Sequence, residues 1–221
     1  MRGVVLFSVL LVVLLVGCAT KQIIVREAVS FGEEEEKAEP VQEQEIGGET
    51  MGKVLFIIAP VNYRDEELSK PKEILERAGY EVNVASLTVD PATGMLGGVV
   101  RPDLAVRDVD ITDYDMVVVV GGTGSPELAK HQEVIDLLAL AEDKGKKLGA
   151  ICLGPMVLAK AGVLQDKRAT VFRTKESVAA LEQGGAVFVD QSVVVDKDLV
   201  TANGPGAAEA FGNELVKLLR G

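Results

Sequence analysis

The chain is poor in the side chains that metal centres, hydrolytic triads and nucleic-acid surfaces draw on. Its 221 residues include one histidine (His131), two cysteines and no tryptophan. A lone imidazole excludes a multi-histidine metal site and any Ser-His-Asp triad that does not use His131. Two cysteines allow at most one disulfide. Basic residues are outnumbered, 23 Lys and Arg against 34 Asp and Glu, for a net charge of −11. Nucleic acid is therefore not an expected partner, since binding it takes clustered Lys and Arg to displace counterions. Glycine is the one excess, 23 residues in a chain of 221, where ~7% is usual. With no Gly-X-Y period, that excess points to the tight turns of an α/β protein.

Residues 1–18 read as a sorting signal. A charged start with Arg2 precedes an apolar run from Val4 to Val16, and Gly17-Cys18-Ala19 closes it. The run is shorter than the ~20 residues that span a bilayer and suits the core of a signal peptide. Leu15-Val16-Gly17-Cys18 resembles the prokaryotic lipobox, which implies cleavage before Cys18 and a lipid on its sulfur. An uncleaved signal anchor is the other reading, since Gly3 to Ala19 could span a thinned bilayer. Both readings leave the rest of the chain on the extracytoplasmic side, held at the cell membrane. Residues 19–51 carry nine glutamates, four of them at 33–36, against three basic residues, with no apolar period. Such a stretch cannot bury enough surface to offset its ordering entropy, and it is expected to be a disordered acidic linker.

From residue 52 to 221 the pattern is that of one α/β domain. Val54–Ala59 and Met116–Val120 are unbroken apolar runs, as expected of strands buried on both faces, and Lys147–Ile151 reads as a short strand. Glu81–Leu87 alternates as a further strand, and Pro91–Val106 reads as a β-hairpin excursion. Weaker strands are expected near 169–172, 193–195 and 199–201. Helices are expected at 66–78, with Pro71 kinking or restarting the helix, and at 154–161, 175–183 and 205–219. Another is expected from Ser125, as its N-cap, to about Lys144. The predicted architecture is a three-layer α/β sandwich with a mostly parallel, flavodoxin-like sheet.

Cys152 stands out within this pattern. The strand Leu148-Gly149-Ala150-Ile151 runs straight into it, and a helix starts at Gly154-Pro155. So short a strand-to-helix turn strains the residue at its tip and presents the side chain at the carboxyl end of the sheet, as in a nucleophile elbow. The helix N-terminus beyond it is expected to favour thiolate and lower the thiol pKa. A buried structural cysteine is the alternative.

Ala150-Ile151-Cys152-Leu153-Gly154-Pro155, Val120-Gly121-Gly122 and Asn203-Gly204-Pro205-Gly206 together resemble the ThiJ/PfpI superfamily, of class I glutamine amidotransferase-like fold. Arg64-Asp65-Glu66-Glu67-Leu68 is similar to the family segment that supplies a glutamate to the cysteine. The resemblance implies catalytic roles for Cys152 and Glu67, the glutamate protonated and hydrogen-bonded to the sulfur. It also implies an oxyanion hole from the backbone N–H groups of Gly122 and Leu153, and a homo-oligomer. Neither a metal nor a cofactor is expected. The family's two histidine positions are vacant. PfpI-like peptidases have histidine directly after the cysteine, where this chain has Leu153, and deglycase-like members take one from the stretch that here reads Val171-Phe172-Arg173. Expelling an amine needs a well-placed acid, whereas a thiol adds to a reactive aldehyde with little help. The expected substrate is thus a small carbonyl compound, in a glyoxalase- or deglycase-like reaction. A redox-responsive or chaperone-like module without turnover and a PfpI-like cysteine peptidase remain alternatives.

Overall fold

The computed structural model describes Thr50–Gly221; the signal peptide, Cys18 and nearly all of the 19–51 linker lie outside the described residues. Twelve strands occur among the described residues: β1 Lys53–Ile57, β2 Val61–Tyr63, β3 Glu81–Ser86, β4 Ala92–Gly94, β5 Val99–Val100, β6 Leu104–Ala105, β7 Met116–Val119, β8 Lys147–Ile151, β9 Arg168–Ala169, β10 Val187–Phe188, β11 Val193–Asp196 and β12 Leu199–Ala202. The helices are α1 Asp65–Arg77, α2 Ser125–Leu128, α3 Gln132–Asp143, α4 Gly154–Lys160, α5 Lys175–Gln183 and α6 Ala208–Arg220.

Seven strands form the main sheet in the order β11-β12-β8-β7-β1-β3-β6, and only the β11–β12 pair is antiparallel. Its core, β3-β1-β7-β8-β12, has the flavodoxin order, in which the strand sequence reverses between β1 and β7. The unbroken apolar runs are explained by what lies on each side. Leu55, Ile57, Val117, Val119 and Leu148 pack with Leu128, Val134, Leu138, Val157 and Leu181 from α2 to α5. Val54, Phe56, Met116 and Val118 pack with Leu68, Leu75, Phe211 and Leu215 from α1 and α6. The expected three layers are present.

Three local expectations are corrected. First, α1 does not restart at Pro71. Its ring is buried in the interface with α6, where the α-carbon of Gly212 lets the helices close. Second, the helix from Ser125 is two helices. Leu128 and Val134 are both fully buried in one core, yet six residues apart on one continuous helix they would point about 120° apart. The break at 129–131 brings both inward. Third, Ser125 is the first helical residue rather than the cap, and its hydroxyl donates instead to the Val120 carbonyl at 2.9 Å. The hairpin expected at 91–106 is real as β4–β5, but it joins β2 in a separate three-stranded sheet, β2-β4-β5.

Candidate active site

The site lies beyond the carboxyl ends of β1, β7 and β8, beside the crevice where the strand order reverses, which is where open α/β sheets bind ligands. Cys152 follows β8 directly. Its φ is +60°, a left-handed conformation that costs a non-glycine residue roughly 1–3 kcal/mol. Backbone hydrogen bonds hold it there. The Cys152 N–H donates to the Ala202 carbonyl and the Phe172 N–H donates to the Cys152 carbonyl, both at 2.8 Å. The elbow is tight because the residues around it are small. A Cβ on Gly154 would stand 2.5 Å from the Val119 carbonyl oxygen, so no other residue lets α4 begin so close to β7. Gly122 has φ +103° and rests against the backbone of Asn62 and Arg64, where a side chain would not fit.

Glu67 is the third residue of α1, which starts just after β2, and its carboxyl reaches inward to the same side of Gly121 as the Cys152 Cβ. A Cβ on Gly121 would strike both the Cys152 Cβ and a Glu67 oxygen. Glu67 and Cys152 line one cavity of about 170 Å³ together with Arg64, Met95, Gly122, Thr123, Leu153, Phe172 and Pro205. The four residues expected at the site, Cys152, Glu67, Gly122 and Leu153, are thus brought together.

Electrostatically the pair is unusual. Glu67 is fully buried, and neither of its oxygens meets a partner at hydrogen-bond geometry. The contact to the sulfur implied by the resemblance falls outside that geometry, yet thiol and carboxyl lie close enough for each to shift the other's titration. Burial pushes the Glu67 carboxyl up to about 7, while the nearby Cys152 thiol, the Arg64 charge and the Gly121 N–H act in the opposite direction. Burial, followed by the charge of Glu67, pushes the Cys152 thiol up to about 12. The nearby N–H groups of Gly122 and Leu153 oppose this by favouring negative charge on the sulfur. The expectation of a lowered thiol pKa is reversed. Two donors at a helix start do not outweigh loss of water and a neighbouring carboxylate. At neutral pH the sulfur holds its proton, and Glu67 lies near its own midpoint, poised to accept one.

Leu153 and Phe172, at the two vacant histidine positions, both form walls of this cavity. His131 lies elsewhere, at the start of α3, with its ring Nδ1 3.6 Å from a Glu133 oxygen. Arg64 makes a bidentate pair with Glu66 at 2.7 and 3.0 Å, so little free positive charge faces the cavity. Met95 and Thr123 were not foreseen as site residues. Met95 comes from a hairpin of another sheet, and no spacing in the sequence ties it to Cys152. No group of three or more metal-ligating side chains stands together among the described residues.

A cysteine offered at the strand-to-helix elbow of a flavodoxin-like sheet matches the class I glutamine amidotransferase-like fold. Within that class the chain belongs to the DJ-1/PfpI family, whose model matches residues 52–218. It is 42% identical over 168 residues to an uncharacterised protein of Methanocaldococcus jannaschii, covering 76% of this chain and 82% of that one. It is 35% identical to a deglycase of Thermococcus kodakarensis, covering 75% and 99%. It is 34% identical to a putative cysteine protease of Bacillus subtilis, covering 77% and 100%. Among solved structures, a ThiJ/PfpI domain protein from Brachyspira murdochii is similar with a TM-score of 0.74 and 33% identity, over 78% of this chain and 98% of that one.

Proposed function

We propose that the protein is a cysteine-dependent enzyme of small reactive carbonyl compounds, α-oxoaldehydes above all. The observation that carries this reading is the buried, unpartnered Glu67 carboxyl beside a strained thiol in a cavity of only about 170 Å³. As Sγ bonds to the aldehyde carbon, its proton passes to the Glu67 carboxylate and from there to the carbonyl oxygen, giving a hemithioacetal. Gly122 and Leu153 N–H groups face the charge that builds on that oxygen. Transfer of the former aldehyde hydrogen, as a proton, through the same carboxyl to the neighbouring carbon, with the hemithioacetal hydroxyl proton passing to the ketone oxygen, gives a 2-hydroxy thioester. Water then releases a 2-hydroxy acid and restores the thiol. The relative named a deglycase supports this reading. The relative named a putative cysteine protease favours a peptidase instead, but Leu153 and Phe172 supply no proton to an amine leaving group. The test compares the full-length chain with Cys152→Ser on methylglyoxal and on a labelled peptide. We expect lactate formation that the variant abolishes, and no peptide cleavage. Peptide cleavage lost in the variant would overturn the reading in favour of the peptidase, and inactivity on both would favour the redox or binding role.

A lipid anchor at Cys18 is part of the same proposal, supported by the short apolar run ending in Leu-Val-Gly-Cys. It places the domain outside the cytoplasmic membrane. No helix among the described residues is long and apolar enough to cross a membrane. Intact mass of membrane-extracted protein is expected to show a chain beginning at Cys18 with added diacylglycerol. A chain that keeps Met1, or one unchanged in processing by Cys18→Ala, would count against it.

A further inference from the structure

Gly122, Thr123, Cys152, Leu153 and Pro205 line the cavity from the turns just beyond strands of the main sheet. One wall has a different origin. Met95 sits in the turn between β4 and β5, part of the small three-stranded sheet. The turn is fastened to the start of α1 by a single side chain. The Asp65 carboxylate accepts from Leu96 N–H and from Gly98 N–H, both at 2.8 Å, one on each oxygen. A Cβ on Gly94 would stand 2.5 Å from that carboxyl carbon, so the turn wraps the acid closely. Met95 N–H donates to the Tyr63 carbonyl at 2.8 Å. Its thioether sulfur in turn accepts from Thr123 N–H at 3.5 Å, which bridges the hairpin to the glycine loop after β7. Met95 is 39% exposed, so it faces both solvent and the cavity that holds Cys152.

We infer that Met95 sets the size of carbonyl compound that reaches Cys152, and that Asp65 is the positioning residue that holds Met95 across the opening. The inference rests on the reading of Cys152 as the group that meets the carbonyl. The cavity is small, about 170 Å³, which suits a two- or three-carbon oxoaldehyde and disfavours a bulkier aromatic one while Met95 is in place. An unbranched thioether is the side chain best able to swing aside and return. Its latch is weak, one N–H to a sulfur, whereas its base is held by two hydrogen bonds to a carboxylate. The substrate class is therefore short, unbranched aldehydes, with admission decided by the hairpin rather than by the rigid sheet ends.

The test uses the full-length chain and follows alkylation of Cys152 by mass of the proteolytic peptide that carries it, with a small haloacetamide and with an N-aryl maleimide, in wild type, Met95→Ala, Met95→Leu and Asp65→Ala. Removing Cγ, Sδ and Cε should raise the ratio of aryl to small-reagent rates about tenfold or more in Met95→Ala, the range set by an added or missing group in an apolar pocket. Met95→Leu should keep the wild-type ratio. Asp65→Ala should raise it toward that of Met95→Ala, which a merely loosened fold would not do, since both reagents would then speed up together. An unchanged ratio in Met95→Ala overturns the inference. The same proteins are assayed on methylglyoxal and phenylglyoxal. A changed alkylation ratio without turnover of either would refute the proposed function and leave Met95 as the size filter.

Discussion

At the scale of residues, Glu67 and Cys152 were legible from motif and place, but their titration was not. The helix-start argument favours thiolate by position alone, whereas burial depends on what the rest of the chain piles on top. Leu153 and Gly122 N–H groups do aid the sulfur, and they are outweighed. The raised carboxyl has a measurable consequence for stability. In the unfolded chain Glu67 ionises near 4.5, and in the folded one near 7. Between those values the folded state holds the extra proton, so stability falls as pH rises through the window and levels off above it. The loss is on the order of 3 kcal/mol. Glu67→Gln has no such proton. Across pH 4.5 to 8 its unfolding free energy should gain on that of wild type by that amount, in urea titrations at a series of pH values. Parallel curves would mean the carboxyl titrates normally.

At the scale of elements, the sequence marks the buried parallel strands and the elbow because their signals are local. β8 and α5 begin and end where their patterns predict. Pairs and breaks that answer to distant contacts were not visible. The division between α2 and α3 lacks a Gly or Pro to announce it, and β2 joins β4 across a separate sheet. The elbow itself can be tested by Gly154→Ala. The new methyl would press on the Val119 carbonyl and should cost roughly 1–3 kcal/mol in urea unfolding, the usual cost of overpacking. Gly206→Ala is the control, because a Cβ there meets nothing within 4 Å. Equal stability of the two variants would show that α4 has room to move away from β7.

At the scale of the whole molecule, flavodoxin strand order was predictable from unbroken apolar runs separated by helices, since each such strand needs cover on both sides. The edges were less legible: β6 is two residues long, and β11 is the lone antiparallel partner. The order determines more than shape. Cys152 gives its N–H to the residue that ends β12 and takes one from Phe172. Its left-handed backbone is thus gripped from two directions by chain that follows it in sequence. The cysteine cannot be held in this left-handed pose until the chain through β12 has arrived and docked. A ribosome-bound or truncated chain carries the same cysteine as an ordinary, relaxed side chain. The strained backbone at the cysteine is therefore acquired only when the fold is complete.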